Sequence, residues 1–223
     1  MIIDIRNSYQ PGAGEYDLTV FIDVFRASTT LLYIFRSGAL EVIGVNRRDV
    51  IDGYLEKGYR LVSEVYGDGI DNSPSLIMNS SLAGVRVLQK TGNLTTAIFN
   101  NLNFKKAIVA GFVNLDAAAE YIKGAKIERV EIVAASNFEE KKEDVEDISC
   151  ATAIKSLIEG LPVGEYYRMD RIREKIGTRK SGTFQFPDNY WFDLELALER
   201  NTVPLVPEVI KNGADEVRFE LAV

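Results

Sequence analysis

Short β-branched runs alternate along the chain with amphipathic or mixed segments of helical length, the order expected of a layered α/β fold. Positions 18–25 (LTVFIDVF) predict a strand, and 28–37 predict a helix closed by Gly38, with Ser28 or a neighbour as its N-cap. A strand at 41–45, a helix at 49–57 ended by Gly58 and a strand at 59–65 repeat that rhythm. Between 66 and 81 the pattern lapses into YGDGIDNSPSLIMNSS, whose turn residues predict a loop with at most a short turn of helix. Order returns with 85–89, a helix from about 95, a strand at 107–111, a helix at 115–123, a strand at 129–135 and a helix over about 143–159.

After Gly160 the character changes. Residues 164–182 are charged and less periodic, and an aromatic group follows: Phe184, Phe186, Tyr190, Trp191 and Phe192. A helix at 193–200 and strands at 203–206 and 216–221 complete the pattern. We expect a three-layer α/β/α fold with a mixed, largely parallel sheet. One domain over 1–223 is expected, its last third from about 161 packing over the core.

Composition narrows the chemistry. The 223 residues include no histidine, which excludes imidazole bases and His-ligated metals. One cysteine, Cys150, makes neither an intrachain disulfide nor a thiolate cluster, and it suits a reducing cytoplasm. Any metal is then held by oxygen, which favours Mg²⁺, Mn²⁺ or Ca²⁺. The balance of 26 basic and 33 acidic residues, net −7, argues against a nucleic-acid or membrane partner but leaves room for one small anion pocket. No run of about eighteen apolar residues and no signal-peptide order is present, so a soluble cytoplasmic protein is expected.

Four segments carry candidate chemistry. In FIDVFRASTT an acid and an arginine, Asp23 and Arg26, sit where an apolar strand ends, and Ser28 and Thr29 open a helix. Backbone N–H groups, hydroxyls and a guanidinium can converge there on a phosphate or sulfonate, while Asp23 can hold a divalent cation. The same residues also describe an ordinary cap with a buried Asp–Arg pair. Phe25 stands where a D-x-D nucleophile motif needs its second acid, which disfavours an aspartyl-phosphate route.

The second segment is Glu64 at a strand end, followed by Asp68, Asp71, Asn72, Ser73 and Pro74. These suit Mg²⁺ or a lid, or a turn-rich surface loop. The third, Thr91-Gly92-Asn93-Leu94-Thr95-Thr96, can cradle an anion at a helix start or simply cap it; it lacks the Gly-Lys-Ser/Thr of a Walker loop. The fourth is EEKKEDVED, a solvated helix start in which Asp147, four residues before Ala151 and seven before Ile154, leans toward the buried stripe. Cys150 and the C-terminal aromatics read as core.

Taken in this order, these segments resemble the 2-phosphosulfolactate phosphatase (ComB-like) family. The matching text is FIDVFRASTTLLYIFRSGALEVIGV, SEVYGDGIDNSP, KTGNLTTA, AIVAGFVNLDAAAEYI and EDISCATAI, with a weaker echo in FDLELALERNTVPLVP. The resemblance implies Mg²⁺-dependent removal of phosphate from 2-phospho-3-sulfolactate, a step toward coenzyme M. By matching position it implies catalytic roles for Asp23, Arg26, Glu146 and Asp147, and metal ligation by Asp23, Glu64 and Asp147. Substrate contacts fall to Arg26, Ser28, Thr29, Asn72, Ser73, Asn93, Thr95 and Asn114.

Two departures bear on the substrate. Leu94 stands where the family pattern has Gly and Thr96 where it has Arg, and a hydroxyl does not replace a bidentate guanidinium. Around Ala134-Ala135-Ser136 the family's strand-end Cys and Gly are also replaced. The expectation is therefore a phosphatase for a small anionic phosphoester, with a non-catalytic binder of phosphate or sulfonate as the alternative. A homo-oligomer with a degenerate pocket is a third reading.

Overall fold

The computed structural model describes residues 1–12, 14–137, 140–164, 168–178 and 188–222. In chain order the elements are β1 (Ile2–Asn7), β2 (Leu18–Ile22), α1 (Ala27–Arg36), β3 (Glu41–Val45), α2 (Arg48–Leu55), β4 (Arg60–Ser63), α3 (Pro74–Met78), β5 (Arg86–Lys90) and α4 (Leu94–Phe99). Then come β6 (Ala107–Ala110), a 3-10 turn (Phe112–Asn114), α5 (Leu115–Gly124), β7 (Arg129–Ala134), α6 (Val145–Ile158), α7 (Met169–Thr178), α8 (Tyr190–Leu198), β8 (Pro207–Lys211) and β9 (Glu216–Leu221). The nine strands form one sheet in the order β1-β7-β2-β6-β8-β9-β3-β5-β4. As expected, the fold is α/β with a mixed, mostly parallel sheet and helices packed on it.

Both outer groups of strands are parallel, β1-β7-β2-β6 on one side and β3-β5-β4 on the other. The antiparallel hairpin β8–β9 joins them, pairing Ile108 with Glu208 and Val42 with Phe219. Three antiparallel steps in succession leave the two groups running in opposite senses along the sheet. A twist of about 20–25° per strand accumulates across these steps, and Gln89 near the end of β5 reaches the Ala27 carbonyl at the start of α1, at 3.1 Å.

The helix α1 lies inside this curve. Residues 27–34 are all buried, among side chains from both groups: Phe21, Val109 and Val133 from one, Val42, Val62 and Val87 from the other. Such a helix has no polar face to expose, which is why its sequence reads ASTTLLYI without a charge before Arg36. Gly38 stops it at φ +79, a conformation that a side chain would strain. A second cluster, on the other side of β1, β7, β2 and β6, packs against α5, α6, α7 and α8. A third seats α2 on β3, β4 and β5.

Several expectations change in detail. Strand β1 lies outside the predicted elements, and helix α7 occupies part of the charged stretch 164–182. The strand expected at 203–206 lies instead at Pro207–Lys211, because Pro204 has no N–H to give a ladder, whereas Pro207 takes the first strand position. The helix expected from 193 begins at Tyr190. β8 and β9 lie within the sheet rather than over it. Phe184 and Phe186 fall outside the described residues.

Candidate active site

The buried strand β2 runs directly into Asp23, which is 5% exposed. The turn that follows braces itself. Asp23 N–H donates to Ser28 Oγ (2.9 Å), Ser28 N–H to the Asp23 carbonyl (2.7 Å) and Thr29 Oγ1 to the Val24 carbonyl (2.8 Å). The Ala27 N–H donates to Asp23 Oδ1 at 3.2 Å, and the Phe25–Arg26 peptide is cis. Ser28 and Thr29, expected at an anion, are fully buried and spend these bonds on the turn itself.

Asp147, in the first turn of α6, ties two strand ends together. Its Oδ1 accepts the Val24 N–H at 2.8 Å and its Oδ2 the Ser136 N–H at 3.1 Å. Glu146 beside it is buried. Glu64, just beyond β4, accepts the Gly92 N–H at 2.6 Å. These acids share one electrostatic neighbourhood. Burial, then the fields of Glu64, Asp144 and Glu146, push the Asp23 carboxyl up to about 7, against the Ala27 N–H. Burial and the fields of Asp23, Glu146 and Asp144 raise Asp147 well above the usual carboxylate range. Glu64, an exposed residue, is raised too, chiefly by the protein that displaces water from around its carboxyl, with the Gly92 N–H opposing.

Arg26 stands on the other side of the turn. Its Nη1 donates to Asp71 Oδ2 and to Asp193 Oδ2, both at 2.9 Å. Burial works against its charge, but Asp71 and Asp193 outweigh that and raise its pKa. Asp193, fully buried in α8, also accepts from Ser73 Oγ (2.9 Å), the Ser75 N–H (3.0 Å) and Asn189 Nδ2 (2.9 Å). The sequence pattern marks Asp193 only as the start of a helix. Its distance along the chain from Arg26 hides the pairing, and the sole hint was an acid inside an aromatic stretch.

The remaining expected contacts divide. Asn72 Oδ1 accepts from Gln89 Nε2 at 3.3 Å, and Ser73 Oγ accepts the Leu76 N–H at 3.2 Å, capping α3. Asn93 precedes α4, half-buried, with no side-chain cap bond. Thr95 is buried and bonded to both the N–H and the carbonyl of Thr91. Asn114 is spent on structure: its Oδ1 accepts the Gly111 N–H at 2.8 Å and its Nδ2 donates to the Leu205 carbonyl at 2.8 Å, so it closes the turn after β6, whose Gly111 packs against Ser28 and Thr29.

The expected metal triad Asp23, Glu64 and Asp147 is not gathered. Among the described residues, no group of three acid or cysteine side chains stands close enough to hold a metal ion. The reason is local, since both Asp147 oxygens are drawn onto backbone N–H groups and Glu64 Oε1 onto Gly92. The donor chemistry of Asp23 and Glu64 nevertheless fits a hard cation: both are carboxylates, and the field of Glu64 is among the causes that raise Asp23. A cavity of about 990 Å³ lies apart from these acids, over Arg6, Tyr16, Asn101 and Glu131. Among the described residues, no helix is long and apolar enough to cross a membrane.

Strand-end carboxylates of raised pKa beside a half-buried, doubly paired arginine are an arrangement that α/β enzymes use. The chain belongs to the 2-phosphosulpholactate phosphatase family, whose model matches residues 6–212; it is a family of phosphoric monoester hydrolases. Relatives named probable 2-phosphosulfolactate phosphatase include one from Bacillus subtilis, 33% identical over 73% of each chain. One from Thermotoga maritima is 28% identical over 89% of this chain and 91% of its own. One from Thermoplasma volcanium is 25% identical over 87% of this chain and 90% of its own.

Proposed function

We propose that this chain is a Mg²⁺-dependent phosphatase acting on a small anionic phosphoester, 2-phospho-3-sulfolactate, as in coenzyme M biosynthesis. The observation that carries the reading is the electrostatic linkage of acids around the turn that bears Arg26: desolvation raises Asp23, Glu64 and Asp147, the fields of Glu64 and Glu146 raise Asp23 further, and those of Asp23 and Glu146 raise Asp147 further. Asp23 and Glu64 would hold the cation, and Asp147 keeps the ends of β2 and β7 in place beneath them. When bound, Mg²⁺ supplies Lewis acidity and offsets the charge of the phosphoryl oxygens. Arg26 orients those oxygens, its guanidinium held in readiness by Asp71 and Asp193. Glu146 or Asp147 takes the proton of the attacking water. A cytoplasmic setting is part of the proposal, supported by the single, buried Cys150.

The test is phosphate release from 2-phosphosulfolactate with and without Mg²⁺, repeated with Asp23→Asn. Activity that needs Mg²⁺ and disappears in the variant is expected; full activity in Asp23→Asn removes the mechanism. One observation favours a second reading, a binder without turnover: Arg26 is already engaged by two carboxylates. Under that reading, phosphate or sulfonate compounds raise the melting temperature while no ester is hydrolysed.

A further inference from the structure

Lys90 ends β5 with its side chain buried, although no acid on its own strand accounts for a charge there. Its Nζ donates to the Thr91 carbonyl at 2.8 Å, to Thr95 Oγ1 at 3.1 Å and to Asn46 Oδ1 at 3.4 Å. Thr95 Oγ1 donates to the same carbonyl at 2.7 Å, and the Thr95 N–H returns to Thr91 Oγ1 at 3.1 Å. The Thr91 carbonyl is thus gripped by an ammonium and a hydroxyl. That carbonyl and the Gly92 N–H belong to one planar peptide unit and point in opposite directions. On the far side, the N–H meets Glu64 Oε1 at 2.6 Å. An ammonium on the oxygen of an amide polarises the unit and strengthens its N–H as a donor.

We infer that Lys90 is a positioning residue for Glu64, fixing the orientation of that carboxylate through the Thr91–Gly92 peptide. The field of Glu64 acts in return on Lys90, opposing the fall in pKa that burial imposes on the ammonium. This rests on the reading of Glu64 as a cation ligand, and it assigns Lys90 the outer-shell role that aims such a ligand.

Two measurements test it on the whole, metal-free protein. The first is Mn²⁺ binding by titration calorimetry. Lys90→Met, which keeps an unbranched apolar stem and removes the ammonium, is expected to weaken Mn²⁺ binding by about tenfold, and Lys90→Arg to restore part of the loss. Where Glu64 is already Gln, adding Lys90→Met is expected to change the affinity by less than about twofold, as required if the two act as one unit. An equal loss with and without Glu64, or no loss, overturns the assignment. The second is exchange of the Gly92 amide hydrogen by NMR, which needs no metal. Lys90→Met speeds it at least about tenfold if the relay operates, and an unchanged rate overturns the relay. Wild type and Glu64→Gln binding Mn²⁺ equally well would count against Glu64 as a ligand, and the exchange measurement would still decide the relay.

Discussion

Asp23 is held in a state that the folded protein pays for in stability, and Asp23→Asn measures the amount. Burial and the neighbouring acids lift its pKa from 3.8 to about 7. Between those values the unfolded chain has released the proton while the native state keeps it, so native stability falls as pH rises; below 3.8 both states are protonated and the effect vanishes. At about 1.36 kcal/mol per pKa unit, the full effect above pH 7 is about 4 kcal/mol, an upper bound because Asp147 and Glu64 share the repulsion. Asn keeps the acceptor for the Ala27 N–H and removes the charge. In urea unfolding with a chelator present, wild-type stability is expected to decline from pH 4 to pH 7. Asp23→Asn should decline less and be more stable than wild type at pH 8 by about 2–4 kcal/mol, a midpoint shift of about 1 M. Wild-type stability that is flat or rising over this range, or a variant weaker than wild type at pH 8, would refute the electrostatic argument.

Other substitutions probe the supports of the site. Asp193→Ala strips Ser73, Ser75, Asn189 and Arg26 of a buried acceptor and is expected to lower stability by about 3 kcal/mol in denaturant titration. Gly69→Ala would place a Cβ 2.4 Å from the Leu61 carbonyl oxygen, and a loss above about 2 kcal/mol is expected. Gly53→Ala in α2, with nothing within 4 Å, is its control and should gain about 0.5–1 kcal/mol. Thr95→Val removes the hydroxyl that holds both ends of the Thr91 residue; a drop of about 1–3 kcal/mol in stability marks it as a brace, whereas unchanged stability with a raised KM would return it to substrate binding.

The strands and helices around α1 were legible because their apolar runs are uninterrupted and their ends carry Gly38 and Gly58. β1 was not, since Ile2-Ile3-Asp4-Ile5-Arg6-Asn7 mixes acid and base into an edge strand; Arg6 survives there by pairing with Glu131 across to β7. Helix α7 was not read although Met169, Ile172 and Ile176 recur at helical spacing, because the charged residues between them dominate the stretch. At the site, Asp23, Glu64 and Asp147 stood out as acids beside apolar strands or on a helix face. What each oxygen binds was hidden, because the partners of Asp147 are backbone N–H groups of Val24 and Ser136, which carry no side-chain signature. Likewise a hydroxyl that folds back onto its own turn, as in Ser28, has the same letter as one that faces a ligand.

The hairpin β8–β9 sets the timetable of folding. A ribosome delivers β1 to β7 first, as two parallel packets with no shared edge, and α1 then has only part of its wall. Val209, Val217 and Phe219 supply the rest, so the seam closes only when residues 207–221 have emerged and paired with β6 and β3, strands made long before them. Contacts of such long sequence separation form slowly. A nascent chain halted short of this keystone would present an open apolar trough, the kind of surface that chaperones hold.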